Sequence, residues 1–279
     1  MRLLLPFTFI SILLFCCGGQ YNGVPAPTGL INPEGTTLAE RIKAPEGYKR
    51  LECDEASFGQ WLRNLKLKAD GATVKLYTGE DKPWQHVHAA VVDMEIGNTD
   101  LQQCADACMR MRAEYLWSQQ RFADIAFDLT NGFRMDYKHW RDGYRLKVDG
   151  NRTWWEKTTG LSIDYASFRN YLDRVFMFAG TLSLQNEMPK KDPLQVEPGD
   201  VFVWGGSPGH ASMVVDVAVD STSGDRIFLL AQGYMPAQEI HIILNPNDQG
   251  LSPWYSMRTD NPPRTMEWTF PEMQLRTWE

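Results

Sequence analysis

Residues Val196–Val219 read VEPGDVFVWGGSPGHASMVVDVAV. Two apolar, β-branched runs, Val201–Trp204 and His210–Val219, flank the corner Gly205-Gly206-Ser207-Pro208-Gly209. Runs of this length, bounded by glycine and proline, predict strands. A third run, Arg226–Ala231, follows across the turn Ser221–Asp225, so antiparallel sheet is expected here. His210 opens the second strand behind a Pro-Gly turn. An imidazole held at a strand mouth is well placed to act as a base.

Outward from these strands, the clearest helical pattern is Leu101–Ser118, where Leu101, Cys104, Cys108, Met111 and Tyr115 share one stripe. Thr99 and Asp100 are N-cap residue types, each followed three residues later by a glutamine (Gln102, Gln103), as a capping box requires. The helix is therefore expected to start just before Cys104. A thiol in the first turn has its pKa lowered by the helix dipole, and a neighbouring imidazolium lowers it further. Cys104 and His210 thus read as the two halves of a cysteine nucleophile site. The Cys104 amide and the side chain of Gln102 or Gln103 are candidate oxyanion donors. Helical pattern taken alone favours a core thiol instead, because cysteine is among the most buried residue types.

A histidine base needs an orienting partner. Asp216 shares a face with His210 but sits six residues further along, about 20 Å away on a strand, which is too far. Gln232 follows the third strand directly. A symmetric turn centred near Thr222–Ser223 puts Gln232 on the wrong face; a one-residue shift or a bulge brings it to the right one.

Around this core, periodicity predicts a helix over Glu55–Leu65, strands over Thr73–Tyr77, Val87–Ile96 and Asp124–Thr130, and a helix from Phe168 to Ala179. The stretch Phe133–Trp155 is aromatic, charged and irregular. Trp140 and Tyr144 from this stretch, together with Trp204, are candidates to line a substrate groove. His86-x-His88 places two imidazoles on one strand face, but no third ligand stands at metal spacing. No metal and no cofactor are expected.

The 279 residues show no composition break after Pro45, which favours a single domain over residues 46–279. A net charge of −7 offers no footprint for nucleic acid, and a monomer is expected. Met1–Gly19 has the form of a signal peptide: Arg2, the apolar run Leu3–Phe15, then Cys16-Cys17-Gly18-Gly19. A cysteine after such a core looks like a bacterial lipoprotein processing site, with Cys17 as the lipidated residue. Gln20–Pro45, carrying Pro and Gly without periodicity, reads as a flexible tether. The folded part is thus expected to be exported and held at the cell envelope membrane. Of five cysteines, Cys53, Cys104 and Cys108 then remain. Either a Cys53–Cys108 disulfide leaves Cys104 free, or all three are free.

A helix-borne cysteine, Gly-Asp before a strand, Gly-His opening the next and a polar residue on a third resemble the papain-like superfamily. Within it the likeness is to NlpC-type and CHAP-type cell-wall amidases, carried by Pro198-Gly199-Asp200-Val201-Phe202 and Gly209-His210-Ala211-Ser212-Met213-Val214-Val215. The resemblance implies an α+β papain-like core, its antiparallel sheet packed on the cysteine-bearing helix, and cleavage of amide bonds in peptidoglycan. The chain departs from the pattern at Gln103-Cys104-Ala105-Asp106 and in the 106 residues between Cys104 and His210; an aromatic-rich insertion accounts for the gap. Over nearly its whole length the chain is also similar to a family of exported bacterial lipoproteins of unknown function. That likeness rests on Leu101–Ala107, Trp140–Arg145, Ala179–Leu184, Gly205–His210 and Leu230–His241. The expected function is that of a cysteine amidase or peptidase. The alternative is a non-catalytic surface lipoprotein that binds glycan or peptide through an aromatic groove.

Overall fold

The computed structural model describes residues 29–278. The leader Met1–Gly19, lipidation at Cys17 and the start of the Gln20–Pro45 stretch lie outside the described residues. The helices are α1 (Leu38–Arg41), α2 (Phe58–Arg63), α3 (Cys104–Ser118), α4 (Tyr137–Arg141), α5 (Tyr165–Phe176) and α6 (Thr181–Glu187). The strands are β1 (Tyr48–Arg50), β2 (His88–Val91), β3 (Ala126–Asp128), β4 (Arg134–Asp136), β5 (Tyr144–Asp149), β6 (Arg152–Lys157), β7 (Val201–Trp204), β8 (His210–Asp220), β9 (Arg226–Gln232), β10 (His241–Ile243), β11 (Tyr255–Ser256) and β12 (Leu275–Arg276). The class is mixed α and β with antiparallel sheets.

The main sheet is built on the long β8–β9 hairpin. At the His210 end, β8 pairs with β7 and β9 pairs with β10; at the turn end, β8 pairs with β1 and β9 with β11. β12 and β2 extend the sheet on its two sides. Both strands of the hairpin are apolar on both faces because both faces are covered. Ala211, Met213, Val215, Leu229 and Ala231 pack in the core that includes α3. Val214, Val217, Phe228 and Leu230 pack with Phe202, Phe270 and Tyr255 in a second core, partly supplied by the C-terminal tail. α3 is buried almost all round, with this sheet on one side and the insertion, including α5, among its other neighbours.

Three expectations change. Residues 31–42, read as tether, are part of the fold: Ile31 bridges Ile42, and Leu38 and Ile42 are fully buried. Thr73–Tyr77 forms only isolated bridges, Lys75 to Asp81 and Leu76 to Gln238. The irregular stretch 133–155 is largely ordered, as β4, α4 and the β5–β6 hairpin. β5 carries a period-2 pattern, with Tyr144, Leu146 and Val148 on one face and Arg145, Lys147 and Asp149 on the other, a signal that the irregular reading passed over.

Candidate functional site

α3 begins at Cys104, but not through the expected caps. Gln103 is the N-cap residue, and its N–H donates to Asp106 Oδ2 at 3.0 Å. Asp100 instead accepts from Gln103 Nε2 at 3.1 Å and from the Ala237 N–H at 2.6 Å, tying the helix start to the loop after β9. Gly233 makes this approach close: a Cβ there would lie 2.8 Å from Gln103 O. Gly209 is constrained in the same way, since a Cβ would meet Thr181 Oγ1 at 2.3 Å. Two glycines thus let the start of α3, the start of α6 and the ends of β8 and β9 converge.

The register of β8 and β9 explains how Gln232 reaches His210. Near the turn the pairs are Asp216↔Leu229 to Val219↔Arg226; past a bulge between Val214 and Asp216 they become Val214↔Leu230 and Met213↔Ala231. Continuing that register one step sets Gln232 opposite Ser212, on the same face as His210. The outcome is a hydrogen bond of 2.9 Å between His210 Nε2 and Gln232 Oε1. Ser212 Oγ lies 3.3 Å from the same nitrogen. The ring is 1% exposed and is walled by Tyr234, Trp268 and Phe270, with centroids 5.2, 5.3 and 5.8 Å away.

Cys104 is 7% exposed, and its thiol borders the amide of Ala211, the residue after His210. The thiol therefore arrives at the mouth of β8. It comes from the helix-covered layer, whereas the imidazole stands with Trp268 and Phe270 in the other. No hydrogen bond joins Sγ to the ring. Burial pushes the thiol up to about 11, with Asp106 adding to the rise and the amides of Ala211, Ala105 and Cys104 opposing it. The expected lowering of the thiol pKa is therefore overturned, because desolvation outweighs the helix end. Burial also pushes His210 down to about 4, against the bond from Gln232 and the charge of Glu267. Both groups rest neutral.

The remaining candidates separate. Gln102 is buried, its Oε1 accepts from Arg110 Nη1 at 2.9 Å, and its Nε2 has no partner. Gln103 spends its amide on Asp100, away from any oxyanion role. Trp204 pairs with His210 across β7 and β8. Trp140 does not line a groove: it is buried in the insertion, its indole N–H bonded to Ser167 Oγ at 3.0 Å. Tyr144 lies on β5 against His139 and Lys157; the exposed aromatic of that hairpin is Trp154, at 43%. Asp216 takes part elsewhere, between Arg50 and Arg63. His88 Nε2 contacts the carbonyl of Ala72 at 3.0 Å, and His86 is exposed. Among the described residues no group of three His, Cys, Asp or Glu is placed to hold a metal ion. Cys53, Cys104 and Cys108 are all free thiols. A cavity of about 210 Å³ lies apart from Cys104 and His210, lined by Arg112, Asp128, Arg134, Glu187 and Trp278 among others.

Residues with no sequence signal complete the site. Lys82 and Glu267 form a buried pair at 2.6 Å, and Gln232 Nε2 donates to Glu267 Oε2 at 2.9 Å. His241 lies fully buried on β10, 3.3 Å from Gln232 Nε2. Lys82 and Glu267 are 185 residues apart, so no spacing rule could have joined them.

Neither a curated protein nor a solved structure matches the chain. A family model does match, over residues 38–277, which takes in every residue of this site. The chain belongs to that family, described as a domain of unknown function (4846).

Proposed function

We propose that the protein is an exported, lipid-anchored cysteine amidase or peptidase with a papain-like core, acting on an amide bond of cell-wall peptide. The observation that carries this reading is the His210–Gln232 bond of 2.9 Å at the strand mouth where α3 begins with Cys104. A helix N-terminus packed on antiparallel sheet, with the base and its amide partner on adjacent strands, supports the papain-like assignment. The leader and Cys17 support export and anchoring.

With Nε2 engaged by Gln232, Nδ1 is left to act. As Sγ bonds to the carbonyl carbon, Nδ1 takes the thiol proton and the carbonyl π electrons move to oxygen. Collapse breaks the C–N bond, and the proton passes to the leaving amine. Water then hydrolyses the thioester, releasing the acid and restoring the thiol. Gln102 Nε2, which has no partner, and the Cys104 amide, which faces the sulfur, are the oxyanion donors. Because both groups rest neutral, proton transfer accompanies attack, and contacts that are long in an unliganded site tighten with substrate.

A second reading, a non-catalytic surface lipoprotein that binds glycan or peptide, is favoured by a thiol near 11 that is not bonded to the imidazole and by the exposed Trp154. Labelling with a thiol-selective electrophile separates the two. The hydrolase reading expects Cys104 to react faster than Cys53 or Cys108, His210→Ala to slow it, and a muropeptide amide to be cleaved. Equal, sluggish labelling of all three thiols, without cleavage, sinks it.

A further inference from the structure

Gln232 presents its oxygen to His210, and the groups behind it decide that orientation. His241 Nδ1 faces the carbonyl of Glu239 at 2.9 Å, which only an N–H can do, so in the neutral ring Nε2 is an acceptor. Burial, the largest influence on His241, holds it below the usual imidazole range and favours that neutral ring. Glu267 carries a carboxylate, which the Lys82 ammonium holds ionised from 2.6 Å. Gln232 Nε2 thus meets two acceptors, Glu267 Oε2 at 2.9 Å and His241 Nε2 at 3.3 Å. Its two amide hydrogens serve both. Turning the amide over would set its oxygen against a carboxylate oxygen and a ring lone pair, all within a fully buried spot.

We propose that the buried Lys82–Glu267 pair, with His241, is the positioning device of this site: it locks the Gln232 amide, and through it holds His210 in the tautomer with its proton on Nε2. Nδ1 is then the free lone pair. Its use in catalysis rests on the cysteine hydrolase reading, but the tautomer itself does not. Lys82, Glu267 and His241 are positioning residues. Ser212 Oγ can share the Nε2 proton and does not alter its placement.

The test is a long-range nitrogen–proton NMR spectrum of the histidine-labelled protein, with the His210 signals identified by their loss in His210→Ala. The wild type should show the Nε2–H pattern. Glu267→Gln should move His210 toward a mixture containing Nδ1–H. That variant leaves Lys82 a buried, unpaired ammonium, so the double variant Lys82→Met/Glu267→Met, which removes both charges, is measured beside it, with thermal unfolding to confirm a folded state. An Nδ1–H wild type, or an unchanged pattern in the folded double variant, overturns the proposal. Alkylation of Cys104 is read on the same samples and should fall about tenfold if His210 is its base. A shifted tautomer with unchanged alkylation upholds the positioning device and removes the hydrolase reading instead.

Discussion

The two ends of β8 bury polar side chains to the same depth by opposite means. Toward the turn, Asp216 is fully buried and accepts from Arg63 Nε and Arg50 Nε, both at 2.6 Å. Each arginine also donates to backbone carbonyls, Arg63 to Leu51 and Arg50 to Ile42. Charge is met by charge, and the cluster fastens β1 and α2 to the sheet. At the mouth, His210 is just as buried but neutral, held by one amide and surrounded by aromatic rings. A saturated cluster has nothing left to give a ligand. A neutral ring with one nitrogen engaged keeps a lone pair in reserve. The bulge between Val214 and Asp216 separates the two ends and sets the register of the second.

The sharpest way to break this contrast is at the mouth. Cys104→Ser should abolish hydrolysis, and His210→Ala should lower it by about 10²–10⁴-fold, with wild-type folding by circular dichroism. Loss of the fold together with activity would mean that the mouth is structural as well. At the other end, Asp216→Asn strips the charge that two guanidinium groups need. Denaturant unfolding should show a loss of about 3–5 kcal/mol. A loss under about 1 kcal/mol would show that the arginines find water, and that the Asp216 cluster clamps nothing.

Acid should separate the ends next. The folded-state pKa of His210 lies near 4, below the unfolded value near 6.5. Between these values the unfolded chain binds the proton and the native one does not, so the contribution is intact above about pH 6.5 and is lost as pH falls toward 4. It amounts to about 3 kcal/mol, read as the difference between the wild type and His210→Gln in urea unfolding from pH 7 to pH 4. A difference that stays flat over that window contradicts the neutral, desolvated ring.

How far the sequence reaches follows the same division. β7, β8 and β9 were legible as short apolar runs set off by turn residues, and α3 by its helical stripe. Cys104 at a helix start and His210 at a strand mouth were legible for that reason. The Gln232 contact was legible only as a condition, since a bulge is invisible until its register is seen. The thiol was misjudged in sign: a helix end can be read from caps, but the desolvation that outweighs it comes from distant chain. Lys82 and Glu267 left no trace, and His241 none of its role, because a polar network joined across the sheet and the tail has no periodicity of its own. Trp140 was read as a groove wall from its type alone, and its partner Ser167 lies on a different helix.

The smallest effect bears on which neighbour orients the imidazole. Ser212 Oγ lies 3.3 Å from His210 Nε2 and Gln232 Oε1 lies 2.9 Å from it, so both compete for one proton. A neutral hydrogen bond is worth about 1 kcal/mol, and the longer contact should contribute less. Ser212→Ala should therefore destabilise the fold by at most about 1 kcal/mol and leave Cys104 alkylation within about threefold of wild type. Gln232→Ala should slow it far more, because it removes the acceptor that fixes the ring and leaves Nε2 without its shorter bond. If the serine variant proves the more damaging, then Ser212 holds the ring, the bulge serves packing alone, and the two ends of β8 differ less than their charges suggest.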